Sequence, residues 1–268
     1  MLNEVKKILH RKEFYFTFFV LFFAVIGEFI YKCYMFREVE LSGGISAHET
    51  FILYNITQNP LENVFSLILP ILISVAAATI AYEEKKSNLL GTIYTRTSKK
   101  KYIMNQFKAV FITAFGVVTV CLLISLLLSL VAFPIQGHFS YDLPHYEALF
   151  EKETDVIWRL LMFHPYIKIL MMIILRSLLA GGYACFAYGI SYFISNKIAI
   201  IIVPLIFSIL HELVSYAIRI VSGLDICSRI MGYYNSVREI IAVVVVCLIL
   251  MTIGIIGVNK GIKVRDEL

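Results

Sequence analysis

Long apolar runs separated by short polar connections make up most of the chain. Six of them, near residues 14–34, 61–82, 107–134, 166–195, 198–217 and 240–258, are each long enough to cross a hydrocarbon core of ~30 Å, which takes about 20 residues of helix. The pattern predicts an all-α polytopic membrane protein, with one transmembrane domain over residues 1–268. Two stretches outside the spans also carry helical periodicity. In residues 1–12, Leu2, Val5, Ile8 and Leu9 fall on one face and Lys6, Lys7, Arg11 and Lys12 on the other, as in a helix lying in the interface of an anionic leaflet. Between spans two and three, over residues 83–104, Leu89, Leu90, Ile93 and then Ile103 and Met104 recur at helical offsets. Glu83, Glu84, Lys85, Lys86 and Arg96 fall between them, which predicts a short amphipathic helix beneath the bilayer.

Composition sharpens the class. Of 268 residues, 59% are hydrophobic and 16% charged, and the mean hydropathy is +0.81, whereas a soluble domain is apolar at roughly 45–50%. The first apolar run is long enough to span and no small-x-small cleavage site follows it, so it is expected to act as its own anchor.

The net charge of +5 says less than its distribution. With both termini inside, the cytoplasmic segments hold 15 of the 24 basic residues, from Lys6 through Lys85, Arg96, Lys99–Lys101 and Lys197 to Arg265, against six acids: Glu4, Glu13, Glu83, Glu84, Asp266 and Glu267. The opposite side holds eight basic residues and most of the acids, so the bias favours cytoplasmic termini. The outer connections, residues 36–60, 135–165 and 211–239, are too short for a separate enzymatic domain.

Candidate chemistry is sparse. Cys33, Cys121, Cys185, Cys227 and Cys247 show no metal-ligand spacing and read as packing residues, with a Cys33–Cys227 disulfide as the minor alternative. His138, His145 and His164 lie among Asp142, Glu147, Glu151, Glu153 and Asp155, but without tight ligand spacing except Glu151–Asp155, so a solvated acidic loop is favoured over a metal site. Asn55-Ile56-Thr57 matches a glycosylation sequon, a short pattern that arises often by chance. Small residues mark close helix approach: Ala76–Ala78 after Pro70, Ala180-Gly181-Gly182 with Ala184 and Gly189, and Gly254 with Gly257; all read as intramolecular packing. Charges inside spans are expensive. Arg176 in span four has Glu28 in span one and Glu212 at the end of span five as candidate counter-ions, and a structural ion pair is favoured over a substrate contact. Lys168 is expected to snorkel to the outer interface.

No phosphate loop, G-x-S-x-G, H-E-x-x-H or C-x-x-C is present, and the basic residues line membrane boundaries rather than a nucleic-acid-reading element. The chain is therefore not expected to hydrolyse ATP by itself, bind nucleic acid or hold a metal. One enzyme reading is the CAAX-type intramembrane protease, with Glu83-Glu84 as the activating acids and Phe207 to His211 as the histidine motif. Against it, Asn88 stands where that family has arginine, and Glu83 and His211 fall on opposite sides of the membrane in the six-span topology. A membrane scaffold or sensor without transport is the third class.

The order of parts between spans two and three resembles the ABC-2 type transporter permeases: an acid at the end of span two, a short helix, and a Ser-Arg-like pair before span three. Glu83 takes the acid position, Leu89, Leu90 and Ile93 the apolar positions, and Ser98-Lys99 the Ser-Arg pair. Glu84 stands beside the acid. Ser87 stands where the family usually has Gly, Arg96 where it usually has Pro, and Lys99 where it has Arg. With six spans and the N-terminal interfacial helix, the resemblance covers essentially the whole chain. It implies a permease subunit in a bacterial cell membrane, pairing with a second copy as a homodimer or with a related permease, and with separate ATPase subunits that bind ATP and Mg. It also implies that residues 83–104 form the coupling loop, that residues 211–239 cap the pathway outside, and that the cargo is a hydrophobic peptide such as a bacteriocin or toxin, for export or immunity, or a lipid-like molecule.

Overall fold

The computed structural model describes residues 2–37, 46–53, 60–86, 98–135, 164–194, 196–222 and 237–266. Eight α-helices and one π-helical turn occur in these segments, with no strand among the described residues. In chain order they are α1 (Leu2–Leu9), α2 (Lys12–Met35), α3 (Pro60–Ile73), a π-helical turn (Ser74–Ala78), α4 (Thr79–Lys86), α5 (Lys99–Ala132), α6 (Pro165–Ile190), α7 (Lys197–Ser222) and α8 (Val237–Asp266). Five helical stretches are long and apolar enough to cross a membrane: Lys12–Met35, Leu67–Glu84, Lys99–Ala132, Pro165–Ile190 and Ile240–Lys260. The apolar stretch Lys197–His211 of α7 is shorter.

Helix α6 is the central element. From Leu175 to Gly189 almost every side chain is buried, as expected of a helix surrounded on all sides. Its widest contacts are with α8 and α5. Glycine makes the α8 contact close. A Cβ on Gly189 would sit 2.5 Å from the Gly254 carbonyl oxygen and 2.6 Å from its Cα, and one on Gly257 would sit 2.8 Å from the Gly189 oxygen. One heptad back along both helices, a Cβ on Gly182 would sit 3.2 Å from the Cys247 sulfur. The small residues of α6 and α8 are thus where two backbones meet, and the contact is intramolecular.

Span two is continuous but not regular. Pro70 inside α3 cannot donate a backbone hydrogen bond, and the chain widens into a π turn over Ser74–Ala78. Hydroxyls serve carbonyls around it: Ser74 Oγ donates to the Pro70 oxygen at 2.6 Å, Thr79 Oγ1 to Val75 at 3.0 Å, and Thr17 Oγ1 of α2 to Leu72 at 2.9 Å. The last of these fastens the end of α3, just before the widened turn, to α2, which packs along the turn.

Two boundaries differ from those the sequence suggests. Glu83 and Glu84 belong to α4, the end of span two, and Ile103 and Met104 belong to α5, which begins at Lys99. Three successive lysines look like a loop by composition, yet a helix tolerates them where their stems lie along apolar surface and their heads reach water. Ile103 is 1% exposed and faces the core. Residues 87–97, which hold Ser87, Leu89, Leu90, Ile93 and Arg96, lie outside the described residues, as do Cys227, His138, His145 and the acids of that outer loop.

Candidate functional site

At one end of the bundle, four charged side chains from distant parts of the chain close into a ring. Arg11, between α1 and α2, pairs with Glu83 on α4, and Glu83 accepts from Lys197, the first residue of α7, at 2.5 Å. Lys197 also approaches Glu13 on α2 at 3.7 Å, and Arg11 lies 3.6 Å from the same carboxylate. Two acids and two bases alternate, so the ring is neutral and each charge has two opposite neighbours. Arg11 reaches one step further and donates to Thr79 Oγ1 at 3.3 Å, just past the π turn. Glu83 is therefore the point where the N-terminal segment, span two and α7 are joined.

Its neighbour faces inward. Glu84 is 3% exposed, pairs with Lys7 of α1 and accepts from the Tyr102 hydroxyl of α5 at 2.9 Å. Lys7 also donates to that hydroxyl at 3.3 Å. A buried carboxylate needs such compensation, because desolvation alone would disfavour its charged form. Ile8 of α1, fully buried, seats the interfacial helix on the bundle and holds Lys7 over the acid. Burial also raises the carboxyl pKa of Glu4 on the same helix; nearby Lys7 pulls it down and Glu84 pushes it further up. Beyond Tyr102, the Tyr188 hydroxyl of α6 donates to Gln106 Oε1 at 2.7 Å and lies 2.9 Å from the Tyr192 hydroxyl. Two polar groups thus lie inward of the ring: Glu84 with Lys7 and Tyr102, and Tyr188 with Gln106 and Tyr192.

The structure brings only part of the expected coupling set together. Glu83 and Glu84 stand at the ring, Ser98 is the N-cap residue of α5 and Lys99 its first residue; the remaining positions lie outside the described residues. Arg11, Glu13, Lys197 and Tyr102 lie outside the expected coupling set, and local spacing carries no signal that joins them, since Glu83 and Lys197 are 114 positions apart.

The charges expected inside the spans lie on α2, α6 and α7. Arg176 is fully buried in α6, and Glu28 is paired with Lys32 one turn along α2 at 2.7 Å. Glu212 lies on α7, its side chain outside the described set. Lys168 does not snorkel: it is 4% exposed and faces His48.

Comparison with protein-family models, with curated proteins and with solved structures returns no match. Geometry therefore has to discriminate between readings. His211 lies 14 residues along α7 from Lys197, about 21 Å at 1.5 Å per residue, while Glu83 is bound to Lys197 itself. An acid and a histidine that far apart cannot share one water, as the protease reading requires. Among the described residues no cluster of His, Cys, Asp and Glu could hold a metal, and Cys33, Cys121, Cys185 and Cys247 carry free thiols.

Proposed function

We propose that the chain is the permease subunit of an ATP-driven ABC exporter in a bacterial cell membrane, with six spans and both termini in the cytoplasm. The observation that carries this reading is Glu83, bound at once to Arg11 and Lys197 at the end of span two, where the resemblance puts the acid that precedes the coupling helix. A push on the following segment reaches the N-terminal segment and α7 through ion pairs, and α6 through Glu84, Tyr102 and the tyrosine pair. The π turn gives span two a place to change its register.

In this reading ATP and Mg belong to a separate ATPase subunit, Leu89, Leu90 and Ile93 form the apolar face that docks there, and two permease copies face each other across the pathway. The cargo is a hydrophobic or amphipathic peptide, exported or cleared from the membrane for immunity. The test is biochemical. Purified alone, the chain should hydrolyse no ATP; isolated from its own membranes, it should carry an ATPase in equal copy number. A transport-active preparation without any ATPase would refute the reading.

A further inference from the structure

The opposite end of the bundle holds a second charged arrangement that the transport reading does not use. Residues Ser46–Leu53 form a short turn inserted among the ends of three helices, and Ala47, Phe51, Ile52 and Leu53 are 0–1% exposed. The Glu49 carboxylate starts the turn: the Ser46 amide and hydroxyl both donate to Glu49 Oε2 at 2.9 Å, and the Glu49 amide donates to the Ser46 backbone carbonyl at 3.0 Å. Three contacts fix its place. The Ala47 amide donates to the Pro134 oxygen beyond α5 at 2.8 Å, the His48 ring lies against Tyr166 of α6, and the Lys32 ammonium of α2 donates to the Thr50 and Phe51 carbonyls at 3.0 and 3.1 Å.

Lys32 is placed where a cation suits the carbonyl end of a helical turn, and Glu28 balances its charge from below. It is only 2% exposed. Yet Met35, the last residue of α2, is three residues away, about 4.5 Å of helix, so a lysine stem can carry its ammonium to water whenever the turn leaves. Both arrangements satisfy the charge, which an apolar anchor of the same size would not distinguish. Buried charges are best attested where they specify one of two arrangements rather than where they add stability.

We propose that Ser46–Leu53 is a displaceable plug between α2, α5 and α6, latched by Lys32. Packing of Phe51, Ile52 and Leu53 favours the seated state, and the ammonium selects its register. This goes beyond the transport reading, and its test needs neither ATPase nor cargo, so either can fail alone.

The experiment uses the full chain in lipid nanodiscs, with Cys33 and Cys227 replaced by serine and Ala47→Cys as the reporter for a water-soluble maleimide. Labelling should be slow with Lys32 present and with Lys32→Arg. In Lys32→Met, and in Lys32→Met with Glu28→Gln so that the acid facing Lys32 loses its charge along with it, labelling should rise about tenfold or more, as expected from losing hydrogen bonds to a charged group. Buried Cys185 should stay unreactive throughout. Unchanged labelling in both Met variants would show that packing alone holds the turn, and simultaneous exposure of Cys185 would show that Lys32 holds the bundle rather than the plug; either overturns the proposal.

Discussion

Glu83 and Lys197 are 114 positions apart in the chain and 2.5 Å apart in the structure. Both side chains are more than a third exposed, so water screens the pair and its worth to stability is small, about 1 kcal/mol or less. Its importance lies in connection. Glu83→Gln should leave thermal unfolding within a few degrees of the native protein, while ATP turnover in the complex continues and export falls. Lys197→Met should do the same, and the double variant no worse than either single one. Additive losses in a double-mutant cycle would mean that the two residues act separately.

The glycine contact makes a prediction about stability alone. Gly189→Ala and Gly254→Ala each place a methyl within 2.6 Å of the facing backbone, which cannot yield as a side chain would. Overpacking of this kind costs about 1–3 kcal/mol. Gly27→Ala is the control, because nothing lies within 4 Å of its added methyl and α2 gains helix propensity of up to about 1 kcal/mol. Thermal unfolding in one detergent, with the first two variants lowered and the third unchanged or raised, is the expected result.

How much of this was legible varies with range. The apolar runs are local, and each of the six now holds a helix. Ser46-x-x-Glu49 before Phe51-Ile52-Leu53 is a local sign of a turn started by a serine and an acid three residues on, and Glu28 with Lys32 is a legible i, i+4 pair. Pro70 inside an apolar run is a local sign of an irregular helix, but no neighbouring residue type says that the chain widens into a π turn. The charge ring could not be read at all: nothing near Lys197 in sequence distinguishes it from a lysine facing water.

Titration of His48 gives a pH dependence of definite sign. Burial lowers its pKa below 6.5, with Glu49 opposing and Lys168 adding to the shift. The unfolded chain then binds more protons than the folded one in the window below 6.5, so this contribution to stability is present above that pH and is lost as the pH falls through the window. Between pH 7.5 and 5, the native protein should lose more thermal stability than His48→Gln. Parallel curves would assign the loss to other groups.

The basic bias predicts which side of the membrane each connection faces. Single cysteines at Lys100 and Glu153, each in a background whose exposed thiols are removed, should respond oppositely to an impermeant reagent on intact cells. Position 153 should label and position 100 should not; the reverse would invert the topology.

The most direct test of the permease assignment replaces Leu89 and Ile93 together with Asp in the native membrane. Desolvating two unpaired carboxylates at a docking face would break the contact. The complex recovered through the chain should therefore lose its ATPase subunit, and export should stop, while the spans remain folded by thermal unfolding. A complex carrying both substitutions that still retains its ATPase and couples ATP hydrolysis to export would contradict the assignment.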